Sequence, residues 1–255
     1  MTPDVVVDIG NSRMKWGRWL PESDVPEMVS LSGDDRREWD EQVQRWERRG
    51  NSTRWAIASV QPALLGQFLR TLSGPSHFIR LITNRDIPIP IEVDEPDAVG
   101  ADRLLNALAA GRLKPRHSLA VVISVGTAVT VDLVREDGAF LGGTIFPGPR
   151  LMASSLHLFT AKLPELELHD VQVHREPPCK NTRDAMQAGI AYAVMGGAAL
   201  LVDALTGARK VHSCVILTGG GLGMLADFDF GDVKSTIVRP TLTLEGIRIA
   251  AESLP

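Results

Sequence analysis

Three short stretches carry residue types whose spacing could do chemistry. Asp8-Ile9-Gly10-Asn11-Ser12 follows the apolar run Val5 to Val7, and Ser124-Val125-Gly126-Thr127-Ala128 follows the run Leu119 to Ile123. Each turn combines a glycine with a hydroxyl side chain. Glycine has no Cβ and tolerates positive φ, so backbone N–H groups in such turns can approach an anion closely. Two turns of this kind facing one another could hold a polyphosphate. Asp8 ends its strand just before the turn, where a carboxylate can meet a nucleotide-bound cation or its water shell; the alternative is an Asx-turn, in which it caps its own backbone. Ser12 and Thr127 could donate to phosphate oxygens or satisfy their own turns. Lys15 could reach phosphate or stay on the surface. The third stretch, Thr218-Gly219-Gly220-Gly221, follows the apolar run Ser213 to Leu217 and offers another close approach of backbone to a ligand.

Asp102 is a candidate for moving a proton. It lies beyond Gly100 and before Arg103, where Leu104, Leu105 and Leu108 mark a helix from about Asp102 to Gly111. A carboxylate held rigidly there could act as general base toward a hydroxyl substrate, or serve only as an aspartate favoured by the helix dipole. Arg103 could bind an anion bidentately or pair with Asp97. Gly221-Leu222-Gly223-Met224-Leu225-Ala226 fits a short dinucleotide pattern, with Glu245 as the ribose acid. The chain has no GxxxxGK[ST] and no GxSxG, which excludes a P-loop and argues against a serine hydrolase. The six histidines are His77, His117, His157, His169, His174 and His212, and they show no paired spacing that would suggest zinc.

The elements that must position these residues alternate between strand and helix. The first turn leads into a strand from Arg13 to Trp19. The second leads into Val129 to Val134, a Glu136-Asp137-Gly138 hairpin turn and a third strand ending in Gly142-Gly143. This duplication is the first thing to test against the structure. Trp39, Val43 and Trp46 predict one amphipathic helix within Pro21 to Gly50. A strand (Arg54 to Val60), a helix (Ala63 to Leu72) and a strand (Phe78 to Ile82) follow. Pro88 and Pro90 keep the next segment extended. Helices are expected over Pro149 to Phe159, Thr182 to Thr206 with Asn181-Thr182 as the cap region, and Leu244 to Glu252, with a loop over Pro164 to Lys180. The pattern predicts an α/β protein of two related lobes, 1–115 and 116–255.

Composition narrows the class. The 255 residues are 44% hydrophobic with a mean hydropathy of +0.02, as expected of a chain that buries a sizeable core. A net charge of −4 gives no electrostatic reason to expect nucleic acid. No apolar stretch reads as a membrane span, and no basic-then-apolar signal pattern opens the chain. Cys179 and Cys214 are isolated thiols, so reduced cysteines and a cytoplasmic location are expected.

Taken together, these segments resemble one family, the type III pantothenate kinases, within the superfamily of acetate and sugar kinases, heat-shock chaperones and actin. The matching segments are DIGNS (Asp8 to Ser12), PDAVGADR (Pro96 to Arg103) with Asn106 and Ala107, and GTAVTVD (Gly126 to Asp132). GGTIFPG (Gly142 to Gly148), TAKLP (Thr160 to Pro164), NT followed by Gly189, and LTGG (Leu217 to Gly220) complete the set in the family's order. The resemblance implies duplicated ribonuclease H-like (actin-like ATPase) lobes, with mixed sheets flanked by helices and a cleft between the lobes. It implies ATP-dependent phosphorylation of pantothenate, the first step of coenzyme A synthesis. By position, Asp102 is similar to the family's base and Gly100 and Arg103 to its substrate contacts. Asp8, Gly10, Asn11, Ser12, Lys15, Gly126, Thr127, Gly219 and Gly220 correspond to nucleotide contacts. A homodimer is implied, with Thr182 of one subunit reaching the other subunit's pantothenate, together with Mg²⁺ and a monovalent cation, K⁺ or NH₄⁺. Neither nucleic acid nor membrane is an expected partner.

Two positions depart from the family pattern. Ser124 stands where an aspartate is usual, and Val93 where a tyrosine is usual. Asp8, Ser124 and Asp132 are the candidate metal ligands, with Asp132 the nearby carboxylate that could compensate for Ser124. Ser124 also motivates an alternative, a non-catalytic nucleotide-binding relative with a regulatory role.

Overall fold

The computed structural model describes residues 1–20, 23–47, 52–167 and 175–254. His169 and His174 lie outside the described residues, as does part of the loop expected over Pro164 to Lys180. The elements in chain order are β1 (Val5–Ile9), β2 (Arg13–Arg18), β3 (Glu27–Ser32), α1 (Arg36–Trp46), β4 (Thr53–Ser59), α2 (Pro62–Thr71), β5 (His77–Ile82) and α3 (Ala101–Leu113). They continue as β6 (Leu119–Val125), β7 (Ala128–Val134), β8 (Phe140–Pro147), α4 (Pro149–Leu158), α5 (Thr182–Thr206), β9 (Ser213–Thr218), β10 (Ser235–Val238) and α6 (Leu242–Ser253).

The chain forms two compact units, Met1–Leu113 with Thr241–Pro255, and Lys114–Pro240. Each is built on one five-stranded sheet, ordered β3-β2-β1-β4-β5 in the first and β10-β9-β6-β7-β8 in the second. In both, the first strand pairs antiparallel with the hairpin strand after it and parallel with the strand that returns after a helical segment. The duplication read from the two turns therefore extends to whole sheets.

In the first unit, Val5, Val7 and Ile9 share a face by the two-residue period of a strand, and bury against Trp16, Trp39, Val43, Trp46, Trp55, Phe68 and Leu72. Trp16 and Trp55 meet edge to face at 5.6 Å. Asp35 caps α1 by accepting from the Glu38 N–H at 3.1 Å, and Pro62 opens α2, where a missing N–H costs nothing. In the second unit, Val121, Ile123, Val125, Val129 and Val131 pack with Val194, Ala198 and Val202 of α5. Asn181 caps α5 by accepting from the Asp184 N–H at 2.9 Å.

Four expectations change. Strands β3 and β10 were not anticipated. Both are edge strands, and Glu27–Ser32 and Ser235–Val238 carry only weak apolar alternation. The third strand of the second hairpin runs to Pro147 instead of stopping at Gly142-Gly143. The C-terminal helix belongs to the first unit, not the second. A Cβ on Gly246 would crowd the Leu105 backbone, with Leu105 C at 2.7 Å, and one on Gly17 would lie 3.0 Å from Leu244 Cδ1. Those glycines let α6 press onto α3 and β2, and Thr243 Oγ1 donates to Asn106 Oδ1 at 2.8 Å. Finally, the stretch Thr182–His212 is long and apolar enough, by length and composition, to cross a membrane. Alanines and glycines spread through α5 hide that length from a search for uninterrupted large apolar residues.

Candidate active site

Most of the candidate residues gather at the turn-bearing end of each sheet. In the first unit, Asp8 lies opposite Lys15 across the β1–β2 hairpin and beside Ala58 of β4. It shares a strand face with Val6, away from the tryptophan cluster and on the side that α6 covers. The turn is closed by the Gly10 N–H donating to Arg13 O at 3.1 Å, and Asn11 Oδ1 accepts from Gln61 Nε2 at 3.1 Å. Asn11 and Ser12 are exposed at its tip.

Asp102 sits in the first turn of α3. Its Oδ1 lies 2.5 Å from the place a Cβ would take on Gly100, so a side chain at residue 100 would displace the carboxylate. The Arg103 N–H donates to Gly100 O at 3.0 Å, which starts the helix. Asp8, Lys15 and Asp102 form one electrostatic group. Burial raises the Asp8 carboxyl from its ordinary 3.8 to about 6, opposed by Lys15 and reinforced by the Asp102 charge.

That shift has a consequence for stability. Between about 4 and 6 the folded chain holds a proton at Asp8 that the unfolded chain has released, so stability falls as pH rises through this window and the loss is complete above it. Asp8→Asn is expected to stabilise the ligand-free chain at pH 8 by about 1–3 kcal/mol and to change nothing at pH 3, read by thermal melting. An equal gain at both pH values would show that Asp8 is not the cause.

In the second unit three segments meet around Val125. The Gly126 N–H donates to Ala128 O at 3.0 Å, the Gly148 N–H to Thr127 O at 2.9 Å, and the Gly221 N–H to Val125 O at 2.9 Å. A Cβ on Gly148 would lie 2.6 Å from Thr127 O, and one on Gly219 would lie 2.6 Å from Val125 N. Gly219 also has φ of 99°, in the region open mainly to glycine. Gly126, Thr127 and Gly220 are exposed beside this packing. The segment Leu222–Met224 forms only a short 3₁₀ turn, so the dinucleotide pattern lacks the helix it needs, and Glu245 lies in the other unit, accepting from Thr241 Oγ1.

Ser124 occupies in the second sheet the register position that Asp8 holds in the first. It pairs with Thr130 on β7 and Thr218 on β9, where Asp8 has Lys15 and Ala58. A charged pair in one unit is thus a row of three hydroxyls in the other. Thr130 Oγ1 and Thr218 Oγ1 are buried without a hydrogen-bond partner. Sequence reasoning missed this row; the signal available was Thr130 and Thr218 at strand positions in register with Ser124. Asp132 pairs with Val122 instead, further from the turn, and its buried carboxylate lies over Gly143. Among the described residues no group of three or more His, Cys, Asp and Glu is assembled.

Two cavities adjoin these elements. One of about 660 Å³ in the first unit is walled by Ser59, Thr83, Asn84, Arg85, Asp97 and Gly100, among others. The other, about 720 Å³ and largely apolar, lies between α4 and the start of α5 and brings together Thr160, Leu163, Thr182 and Gly189. Thr182, the first residue of α5, is therefore in the second unit beside the TAKLP segment.

Two sheets of this order, each with a glycine turn after its first strand, define the duplicated fold of the actin-like ATPases and the kinases related to them. The activator of 2-hydroxyisocaproyl-CoA dehydratase from Clostridium difficile, solved with bound ADPNP, shares this fold. The match has a TM-score of 0.54 at 13% identity and covers 98% of this chain and 96% of that one. The chain belongs to the type III pantothenate kinase family, whose family model matches residues 5–204. It is 35% identical to the type III pantothenate kinase of Geotalea uraniireducens over 76% of this chain and 73% of that protein. It is 32% identical to type III pantothenate kinase 1 of Symbiobacterium thermophilum over 97% of this chain and 96% of that one.

Proposed function

We propose that the chain transfers the γ-phosphoryl group of ATP to the primary hydroxyl of pantothenate, forming 4′-phosphopantothenate in coenzyme A synthesis. Family membership carries the activity. The residue roles rest on placement: Asp8 and Lys15 face each other across the β1–β2 hairpin beside its glycine turn, and Asp102 in the first turn of α3 is near enough for its charge to help raise the Asp8 pKa. Asp102 takes the hydroxyl proton as the substrate oxygen attacks phosphorus, while Gly100 and Arg103 hold the substrate beside it. The turn at Gly10, Asn11 and Ser12, which the Gly10 N–H closes on Arg13 O, meets nucleotide phosphates together with Lys15. Gly126, Thr127, Gly219 and Gly220 are the second unit's candidate nucleotide contacts.

Phosphoryl transfer depends on positioning and on neutralising phosphate charge. Asp8 fits Mg²⁺, which is commonly held by one or two carboxylates together with substrate phosphates. Burial without enough compensating charge is what raises its pKa, and a bound cation would restore the ionised form. Mg²⁺ supplies charge neutralisation to the nucleotide phosphates. A row of neutral oxygens at Thr130, Ser124 and Thr218 suits a weakly bound monovalent cation better than a divalent one. Ser124→Asp is expected to lower the K⁺ concentration for half-maximal thermal stabilisation by about tenfold or more. Unchanged K⁺ dependence would remove Ser124 from the cation site.

A second copy of the chain is the partner that the α4–α5 surface suits. Leu158 and Phe159, 71% and 85% exposed, stand beside the apolar cavity at Thr182, and Tyr192 and Leu200 are exposed along α5. Light scattering should read the mass of two copies, and a single-copy mass would contradict this. The activity is tested by ADP release that requires pantothenate, with sugars and acetate as alternative acceptors. Release with another acceptor and not with pantothenate would overturn the reading.

A further inference from the structure

We propose that Asn84 is a positioning residue for the Asp102 carboxylate, a role that rests on Asp102 being the base. Asn84 Nδ2 donates to Val99 O at 2.7 Å, joining two points 15 residues apart in sequence. The chain between them carries Pro88, Pro90 and Pro96, none of which has an N–H to give to regular backbone pairing. A side-chain clasp across its ends therefore fixes where the segment re-enters α3.

The clasp is anchored at one end and coupled to the carboxylate at the other. Asn84 opens a 3₁₀ turn, Asn84–Asp86, at the end of β5. That turn is locked by the Thr83 N–H and Oγ1 donating to Asp86 Oδ2 at 2.8 and 2.7 Å. At the far end Val99 leads directly to Gly100. Gly100 O accepts the first N–H bond of α3, and Asp102 Oδ1 lies 2.5 Å from where a Cβ on Gly100 would stand. Moving Val99 moves Gly100, and moving Gly100 moves the carboxylate. Asn84, Val99 and Gly100 also wall one cavity of about 660 Å³, so the clasp shapes the space beside the base.

A shift of roughly 1 Å in a reacting group can cost about 100-fold in rate, without disturbing a phosphate site built from other segments. Asn84→Ala is expected to lower kcat by about 10- to 100-fold with KM for ATP changed less than about twofold. Asn84→Asp, of the same size but facing Val99 O with an acceptor, should lose as much kcat while circular dichroism shows the fold retained. The decisive measurement is the double-mutant cycle with Asp102→Asn. If Asn84 works through Asp102, Asn84→Ala costs little further kcat once Asp102 is neutral; an equal further loss overturns the proposal, as does a parallel loss of ATP affinity. Wild-type kcat in both Asn84 variants beside an inactive Asp102→Asn overturns the positioning role alone. Full activity in Asp102→Asn overturns the base reading, and this proposal with it.

Discussion

Asp102→Asn is expected to lower kcat for pantothenate phosphorylation by about 10²- to 10⁴-fold, the range a positioned general base contributes, while ATP still binds. Asparagine keeps the size of the side chain and its place over Gly100, but it cannot accept the hydroxyl proton. The nucleotide contacts proposed here lie on the β1–β2 turn and on the turns of the second sheet, and those are left intact. Removing the Asp102 charge also relieves the Asp8 carboxylate, since Asp102 helps to raise its pKa. ATP binding with Mg²⁺ should therefore be equal to wild type or somewhat tighter. Isothermal calorimetry beside steady-state kinetics separates the two effects. A variant with unchanged kcat would remove Asp102 from the chemistry.

The second large effect is expected at Gly148, which no proton-transfer argument singles out. Its N–H donates to Thr127 O at 2.9 Å, and a methyl group would lie 2.6 Å from that oxygen and crowd Gly126 O as well. Both contacts are backbone, so they cannot swing aside as a side-chain end would. Gly148→Ala is therefore expected to push the Gly126-Thr127 turn out of place, weakening nucleotide binding by about tenfold or more and costing about 1–3 kcal/mol of stability. Gly66, inside α2 with open space where its Cβ would be, provides the contrast. Gly66→Ala should bind nucleotide as wild type does and gain up to about 1 kcal/mol from helix propensity. Equal nucleotide binding by Gly148→Ala would show that the turn does not depend on this packing.

The contrast between these residues explains how much of the site could be read in advance. Asp8 to Ser12 and Ser124 to Ala128 announce themselves as a pair: one apolar run ending in a glycine and a hydroxyl fits an ordinary hairpin, and its repetition is the signal. The strand pairing then carries that local signal to whole sheets. Strand β3 escaped because Met28, Val29 and Leu31 sit among polar residues on an edge, where one side of the strand needs no partner. Helix α6 was legible as a helix from Leu244, Ile247 and Ala251. Its membership of the first unit was not, because that depends on a glycine at 246 meeting Leu105 across a long separation in sequence. The hydroxyl row at Thr130, Ser124 and Thr218 and the Asn84 clasp share this property. Each is made by register or by a side-chain bond between distant segments, and no local spacing encodes it.

The central claim concerns which oxygen receives the phosphoryl group. ³¹P NMR of the chain incubated with ATP, Mg²⁺, K⁺ and pantothenate reads this directly, because the product signal is split by the hydrogens on the carbon that bears the phosphate. The account predicts a new phosphomonoester triplet, from phosphate on the CH₂ of the primary alcohol, growing as ADP appears and growing at least about 100-fold more slowly with Asp102→Asn. A doublet from the secondary alcohol, or ADP accumulating beside inorganic phosphate alone, would contradict it.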